Sequence, residues 1–516
     1  MIDHNLFSPD DLTVLLKRPL DQILTNREVE RLEKILYNYD YYSGKQHKNI
    51  DGMLIRSHEM ERPPGYDYDP AYFETNYFKA FIKRKSRWQM AGKHGIEAIP
   101  KSDSPEDIEK AQAYEELLRD IWKYNKMDAK KMSLARDRMV GGTVACKLSY
   151  NPHKGKIHWI WHKAHEVFPI YSEDGFNEMT GCDIIIPKDD PVNEGRTLYY
   201  VQHFRMDEDS GECFLEEVVY DDKFKRKEVL VENGSLQLDF VPIVMFDVEN
   251  TDGNGEYFDD LEDIEILTTQ LNKMMEDASD SLAFEMFGIT VITNAKEGTA
   301  QQLEIAPGAV VEVNSNHEGI SAGMHTLENG FQWKEAYKDQ YNRIKSALHE
   351  LSGLPQIVPQ ELNFGGMNDR ALQVLYQDII QETTEQWLAW DVAFAELYEK
   401  TIGYLNARTY HNKFSYDKTV VRDSEGIETK MNFVLPLPDD RADLIELLAS
   451  EVDHGFESLQ GAQKRAGVVD TDKKIQEIKD ERTMFREAED PYNTSSELST
   501  RSNLEADASA KPEDLE

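Results

Sequence analysis

One short segment has the residue types of a catalytic nucleophile. Residues 319–323 read GISAG and match the G-x-S-x-G pattern, in which a strand leads to the serine and a helix follows at once to expose its hydroxyl. Residues 324–329 show no helical start, and no alternating strand and helix pattern surrounds the motif. Because a pattern of five residues arises easily by chance, we expect Ser321 to be a loop residue and predict no catalytic residue and no enzymatic activity.

Three histidines, His158, His162 and His165, have a spacing that suits a metal site on a helix. The surrounding sequence (KIHWIWH) is strand-like, and side chains of a strand alternate between its two faces. The three imidazoles would then not converge on one ion. We interpret them as structural histidines, and we predict no metal site and no cofactor.

Residues 252–257 resemble the start of a calcium-binding loop. Asp252, Asn254 and Glu256 have suitable oxygen ligands, but the sixth position is Tyr257, where such a loop needs glycine for its turn. We favour a flexible lead into the following helix, and a bound divalent ion stays an open alternative.

Composition and charge exclude several classes of function. The chain has 58 Lys and Arg against 97 Asp and Glu and a net charge of −39, which repels a monomer from nucleic acid and anionic lipid. No G-x-x-x-x-G-K-[ST] segment is present, so the chain lacks the phosphate-binding loop of a translocating ATPase. The cysteines at 146, 182 and 213 form no CxxC pair, which argues against a disulfide framework or a zinc site and fits folding in a reducing cytoplasm.

Nothing in the sequence predicts export or a membrane span. Residues 1–20 carry acidic positions among apolar ones, and nowhere do about 18 apolar residues follow one another. With 516 residues, of which 40% are hydrophobic, the chain is long enough for roughly two to four cores. We expect a folded, soluble protein of several parts that has no contact with membranes.

Hydrophobic periodicity predicts a mixed α+β chain. Apolar positions at helical spacing indicate helices at residues 27–42, 79–88 and 105–124. From residue 142 to about 246 the pattern alternates as in strands, with turns rich in Gly, Asn and Asp. The first half of the chain is therefore expected to join a few helices to one β-rich body.

Two amphipathic helices flank a small β module (ITVITN and GAVVEVNS) in the second half. The first has about 28 residues and a length of roughly 40 Å. Its apolar stripe consists of Leu261, Ile264, Leu267, Leu271, Met274, Ala278, Leu282 and Met286. The stripe of the second helix consists of Trp333, Tyr337, Tyr341, Ile344, Leu348 and Leu351. We expect both stripes to pack against neighbouring elements of the same chain or of another copy.

A third helix is predicted to be very long. Residues 370–406 contain no proline and would span roughly 55 Å, far beyond the usual helix of about 11 residues. Trp387, Trp390 and Phe394 on this helix are expected to lie in a core and not to form a ligand site.

The last part of the chain begins with a predicted hairpin. Residues 409–435 read as two strands that turn near residues 423–426, and two helical segments follow (RADLIELLASEV and TDKKIQEIKDERTMF). From residue 487 the chain is polar and acidic, and a disordered tail is expected.

In this order of parts, nearly the whole chain resembles the portal proteins of tailed double-stranded DNA bacteriophages of the long-tailed siphovirus type. Residues 39–50 (YDYYSGKQHKNI) resemble the tyrosine-rich YY-x-G-K element of that family. Residues 241–280 resemble the start of its stem, with DLED followed by a later asparagine. Asp369 and Arg370 stand where the family often has Ser-Gly, a departure that concerns the geometry of one loop.

The resemblance implies a portal fold of named parts. They are a wing at 1–257, a first stem helix at 258–287, a clip at 288–329, a second stem helix at 330–352, a tunnel loop at 353–369, a wing spine helix and hairpin at 370–438, crown helices at 439–486 and a disordered acidic tail at 487–516.

The resemblance also implies a function as a DNA gate of the virion. A portal protein forms a dodecameric ring at one capsid vertex, and its channel passes double-stranded DNA during packaging and ejection. The implied partners are further copies of the chain, the large terminase subunit, head-completion adaptor proteins, and scaffolding and major capsid proteins. Assembly would take place in the host bacterial cytoplasm. The alternatives are another virion assembly scaffold built on long self-associating helices and, third, a carboxylate-based hydrolase.

Three lysines of the second stem helix are candidates for lining the channel. Lys334, Lys338 and Lys345 fall on one narrow face, beside the apolar stripe and not on it. Repeated around a ring, they would form belts of positive charge. The alternative is that they pair with nearby glutamates or face water.

The segment between the second and third long helices is a candidate tunnel loop. Residues 354–368 contain no Lys or Arg, so the loop can lie near a moving duplex without a fixed grip on phosphate. The alternative is an ordinary helix connection. The candidate residues are Gln356, Gln360, Asn363, Gly365 and Gly366.

Overall fold

The computed structural model divides the chain into two units, Met1–Leu435 and Pro436–Glu516. The residues that the structure describes are 26–45, 71–172, 178–191, 193, 195–221, 225–248, 257–287, 289–294, 321–327, 333–355, 374, 376–436, 441–466, 468, 471 and 474–481. Helices and strands both occur throughout the first unit, so the α+β class is confirmed. Within the described ranges, no helix has the length and apolar character needed to cross a bilayer.

Among the described residues, four helices precede the β-rich body. They are α1 (Asn26–Ser43), α2 (Tyr77–Met90), α3 (Pro105–Tyr124) and α4 (Met127–Gly141). The three helices predicted in this region are confirmed as α1, α2 and α3.

Capping explains where α1, α2 and α3 begin or end. The side chain of Asn76 accepts a hydrogen bond from the backbone N–H of Lys79 (2.8 Å), and Ser104 does the same for Asp107 (3.2 Å). Gly44 follows α1 with φ +84°, a left-handed conformation that glycine adopts without strain. Sequence analysis missed α4, since Lys126 takes the left-handed φ of 55° and separates α3 from α4 without a glycine or proline.

The β-rich body consists of two antiparallel sheets. Their strands are β2 (Thr143–Asn151), β3 (Lys156–Lys163), β4 (Val167–Tyr171), β5 (Met179–Asp189), β6 (Thr197–Met206), β7 (Cys213–Tyr220), β8 (Arg226–Ser235) and β9 (Ile243–Asp247). One sheet has the strand order β3-β2-β9, and the other is a five-stranded meander, β4 to β8. The predicted β region from 142 to about 246 is confirmed.

The predicted hairpin at 409–435 is wrong. Residues Lys418–Asp423 form a short helix, α8, whose N-terminus is capped by Asp417. Strand β12 (Glu428–Asn432) follows, and its partner is β1 (Gly95–Ile99), more than 300 residues earlier. The residues around β12 give no indication that its partner is remote in sequence. The strand-like pattern of 409–435 was therefore assigned to two neighbouring strands.

The three long helices are present. They are α5 (Tyr257–Phe287), α6 (Trp333–Leu351) and α7 (Gln377–Asn406). Between α5 and α6, β10 (Ile289–Thr293) pairs antiparallel with β11 (Gly323–Leu327). The predicted strand GAVVEVNS lies outside the described residues. Helix α7 begins after Tyr376, which has non-helical φ and ψ, so the predicted start at residue 370 is wrong for this continuous helix.

The largest core lies between α7, α3, α4 and the three-stranded sheet. Trp390 and Phe394 of α7 are 1% exposed and stack on each other with ring centroids 5.6 Å apart, and Phe246 of β9 packs against both. Trp387 is partly buried beside them. The interpretation of these three aromatic residues of α7 as core residues is confirmed.

A fully buried arginine ties α4 to this core. The Arg138 guanidinium lies 4.6 Å from the centre of the Trp390 ring and donates hydrogen bonds to the carbonyl oxygens of Phe246 (3.2 Å) and Asp247 (3.1 Å) and to Gln386 Oε1 (2.8 Å). Its charge is thus met by three acceptors and an aromatic face. Sequence analysis did not single out Arg138.

In the second unit, α9 (Arg441–Asp453) and α10 (Leu459–Arg465) are helices, and residues 474–481 are helical. The helix predicted from RADLIELLASEV is confirmed, as is the described part of the one that follows it. The predicted acidic tail from residue 487 lies outside the described residues.

We predict that Arg138→Met lowers the free energy of unfolding by about 3–5 kcal/mol, because the buried acceptors lose their donor. Arg119→Met on α3 is the matched control. The Arg119 side chain is 44% exposed and pairs with Glu115, so its loss should cost less than about 1 kcal/mol. Urea unfolding of both variants measures the difference, and equal small losses would contradict the assigned role of Arg138.

Candidate functional site

The helix pair α5 and α6 is the centre of the candidate site. Their apolar stripes meet in one cluster, where Leu271 and Leu348 are completely buried and Ile264 and Ile344 are nearly so. The predicted packing of both stripes is therefore confirmed over these turns. Towards the C-terminal ends, Leu282 of α5 is 44% exposed and Leu351 of α6 is 51% exposed.

A ladder of polar side chains on α5 holds the extended segment that precedes α2. Asn272, Glu276 and Asp280 are spaced four residues apart and are almost completely buried. Their side-chain oxygens accept hydrogen bonds from alternate backbone N–H groups: Thr75 to Asn272 (3.1 Å), Phe73 to Glu276 (3.3 Å) and Ala71 to Asp280 (2.7 Å). Asn272 also accepts from the Thr75 hydroxyl and donates to the Thr75 carbonyl (3.4 Å).

The ladder forms because the rise of four residues along a helix nearly equals the advance of two residues along an extended segment. Four helical residues rise about 6 Å, and two extended residues advance about 6.6 Å. Each N–H of the extended segment that points towards α5 thus meets one acceptor of the helix. The three residues were visible in the sequence as polar positions at i, i+4 and i+8, but their role was missed.

The three candidate lysines lie on an open face of α6. Lys334 and Lys338 are exposed and Lys345 is half-buried, and none of them forms an ion pair with a carboxylate of the described chain. From the helical repeat, their face is about 80° around α6 from the apolar stripe. Burial, with smaller contributions from Arg84 and Lys345, lowers the pKa of His349 below its ordinary value.

Most of the candidate tunnel loop lies outside the described residues. Helix α6 ends before Gly353, which has φ +65°, and the carbonyl oxygen of Leu354 lies 3.1 Å from His349 Nδ1. Gln356, Gln360, Asn363, Gly365 and Gly366 lie outside the described residues. Their role stays a prediction.

The three histidines His158, His162 and His165 have separate partners. His158 Nε2 lies 3.0 Å from the hydroxyl of Tyr124, and His162 Nδ1 lies 2.9 Å from Glu166 Oε2. The ring of His165 meets Tyr39 edge to face. The described part of the chain contains no group of three or more His, Cys, Asp or Glu side chains placed to hold a metal ion.

The G-x-S-x-G segment does not form a nucleophile elbow. Ser321 is exposed, and Gly323 opens strand β11 where the motif requires a helix. The three cysteines are buried, and burial raises the pKa of each thiol, which keeps them protonated and poorly nucleophilic. Residues 252–256 of the calcium-like segment lie outside the described residues.

An open groove of ≈720 Å³ separates α1 from α5. It is lined by Glu30, Glu33, Lys34, Tyr37, Asn38, Glu262, Glu265, Ile266, Thr269, Gln270 and Lys273. Tyr37 and Ile266 are each more than half exposed on it. Four carboxyl groups against two lysines make the groove acidic.

Glu265 is the unusual residue of this groove. The residue is 4% exposed, and its Oε1 atom has no hydrogen-bond partner in the described structure. Burial and then the neighbouring Glu262 raise the pKa of Glu265 to about 8, and Lys34 opposes that rise. Sequence analysis missed this residue, because in DLEDIEIL it looks like any glutamate of a helix surface.

Comparisons with known proteins point to one family. A family model described as "Phage portal protein, SPP1 Gp6-like" matches residues 21–487. No curated protein matches the chain. Of 86 matching chains of solved structures, one is from "Neck of empty GTA particle computed with C6 symmetry"; it is 14% identical, with 75% of this chain and 89% of that chain covered and a TM-score of 0.38.

We predict that Asn272→Ala destabilises the protein by about 1–3 kcal/mol, because the partly buried N–H and hydroxyl of Thr75 lose their acceptor. Gln340→Ala, an exposed amide on α6, is the control and should change stability by less than about 0.5 kcal/mol. Chemical unfolding compares the two variants, and hydrogen exchange at residues 71–75 should speed up in Asn272→Ala alone. Unchanged exchange there would rule out the ladder.

Proposed function

We infer the function of this chain from the SPP1 Gp6-like family of phage portal proteins, to which it belongs by the match over residues 21–487. It is thus a portal protein of a bacteriophage virion, and the family is structural. We propose that copies of the chain form a closed ring, of about twelve subunits, at one vertex of the capsid. DNA passes through the axial channel of this ring during packaging and ejection.

The order of elements supports an assignment of parts. We assign β2 to β9 and the helices before them to the wing, α5 and α6 to the stem, and the pair β10 and β11 to the clip. Helix α7 is then the wing spine, and α9 and α10 belong to the crown. The observation that carries this assignment is the pair of packed helices, α5 and α6, with a small antiparallel β module inserted between them.

The charges of the chain suit a conduit. Duplex DNA carries one phosphate charge about every 1.7 Å of its axis, so a wall with many basic groups would hold the duplex. The net charge of −39 prevents such a general grip. Lys334 and Lys338, which are exposed, and the half-buried Lys345 have no carboxylate partner among the described residues. They provide a few local points of attraction, and we propose that they line the channel.

We propose docking partners by part. The clip binds the large terminase subunit during packaging and the head-completion adaptor afterwards, and the wing meets scaffolding and major capsid proteins. The chain assembles in the host cytoplasm before it becomes part of the virion. The loop between α6 and α7 is proposed to contact the moving duplex.

We predict closed rings of about twelve copies with an axial hole wide enough for a duplex of about 20 Å. Negative-stain electron microscopy of the purified full chain, together with native mass measurement, tests this directly. A monomer or dimer without a hole at every concentration would contradict the proposed function.

We predict that the triple variant Lys334→Glu, Lys338→Glu and Lys345→Glu still forms rings but packages DNA more slowly, on the order of tenfold at low salt, because negative belts repel the phosphates. The control reverses three exposed lysines elsewhere, Lys123, Lys154 and Lys225, and changes the net charge equally. An in vitro packaging assay compares both ring variants. Normal packaging by the first variant would remove these lysines from the channel wall.

A further inference from the structure

The groove between α1 and α5 is not filled by any of the described residues. Glu265 Oε1 is buried at the groove without any hydrogen-bond donor, and a buried acceptor without a donor lowers stability. The groove therefore offers a position for a donor that comes from outside the described chain. A cationic group suits it best, since Glu30, Glu33 and Glu262 also line it.

The remainder of the groove favours a protein partner over a metal ion. The described residues place no third metal-ligating side chain with Glu262 and Glu265. Tyr37 and Ile266, which also line the groove, are 55% and 58% exposed to solvent. Arginine and aromatic side chains are enriched at the centres of protein interfaces, where apolar contacts exclude water.

A basic patch on α2 complements this groove. The patch consists of Lys83, Arg84 and Arg87, of which the two arginines are exposed. None of the three forms an ion pair with a described carboxylate, although the chain has far more carboxylates than basic groups. Other basic side chains nearby do have partners, as Lys85 does with Glu382 at 2.7 Å.

The groove and the patch lie on opposite sides of α5. Glu262, Ile266 and Lys273 are about 180° around the helix from Ile264 and Leu271, which pack in one cluster with Ile344 and Leu348 of α6. Arg84 lies on the side of α5 that faces α6. The positive charges of Arg84 and Lys345 both lower the pKa of His349 on α6, and the ring centroids of Phe81 on α2 and His349 are 5.6 Å apart. One copy can therefore use its patch while its own groove stays open.

We propose that the groove between α1 and α5 receives the basic patch of α2 from a second copy of this chain, with an arginine of the patch donating to Glu265. Two different surfaces meet in this contact, so it is heterologous and repeats from copy to copy until a ring closes. The proposal rests on the assembly part of the proposed function and not on DNA passage. It uses none of the lysines assigned to the channel.

Cysteine cross-linking tests the contact. Ile266→Cys combined with Arg87→Cys, treated with a short bismaleimide under assembly conditions, should yield a ladder of covalent oligomers up to the closed ring. The three native cysteines are buried and do not compete. The controls are each single variant and Ile266→Cys paired with Leu230→Cys, whose position on β8 is 49% exposed.

The outcomes separate this proposal from the proposed function. Rings of the double variant that yield no more cross-linked species than the Leu230→Cys control would overturn the contact and leave the ring intact. A wild-type chain that stays monomeric would overturn both. A ladder specific to the Arg87→Cys pair supports the contact.

Neutralising Glu265 gives a second test. Glu265→Gln should raise the protein concentration needed for half-assembly on the order of tenfold, whereas Glu33→Gln at the same groove should change it far less. Arg84→Ala with Arg87→Ala should show a similar loss, and the combination with Glu265→Gln should add little to it. Losses of assembly that add fully in the combined variant would overturn the proposal. So would a Glu265→Gln variant that assembles at the wild-type concentration and with the wild-type salt dependence.

Discussion

The side-chain ladder of α5 sets the arrangement of the first unit around the helix pair. An extended segment normally satisfies its N–H groups with a neighbouring strand, but residues 71–75 use Asn272, Glu276 and Asp280 of a helix. These bonds fix the start of α2, and α2 in turn packs Phe81 against His349 of α6. The buried carboxylates Glu276 and Asp280 are tolerated because backbone N–H groups donate hydrogen bonds to them. Without those donors, burial of this helix face would cost free energy.

Helix α5 thus has different surroundings on each side. One side packs Ile264 and Leu271 against α6, and the opposite side forms the acidic groove with α1. The contrast between Glu276 and Glu265 shows what a partner does for a buried carboxyl group. Glu276 receives a backbone N–H, whereas Glu265 has an unpartnered oxygen and a pKa raised to about 8. Glu276 therefore has a structural role on this helix, whereas Glu265 still has an oxygen that can accept a hydrogen bond.

Sequence analysis found the parts of the fold that are governed by local periodicity. Helix α3 and the strands of the β-rich body follow their patterns because capping and alternation act within a few residues. Helix α4 was missed because it is covered on several sides and has no clear stripe, and β12 was misassigned because its partner, β1, is remote. Arg138 and Glu265 could not be distinguished from surface charges, since burial of a charge depends on elements that meet only in three dimensions.

The distribution of unpaired charge links the fold to an assembled state. Among the described residues, Lys83, Arg84 and Arg87 of α2 and the three lysines of α6 have no carboxylate partner, and the Oε1 atom of Glu265 on α5 has no donor, although the chain has a large excess of acid. Because carboxylates outnumber basic groups in this chain, random placement of charges would give most basic groups a carboxylate neighbour. The lysine face of α6 lies about 80° from its apolar stripe, and Arg84 of α2 lies close enough to His349 of α6 to lower its pKa together with Lys345. The proposed contact between copies uses the arginines of α2, and the proposed channel wall uses the lysines of α6, so the two proposals assign different side chains to the two sets of contacts.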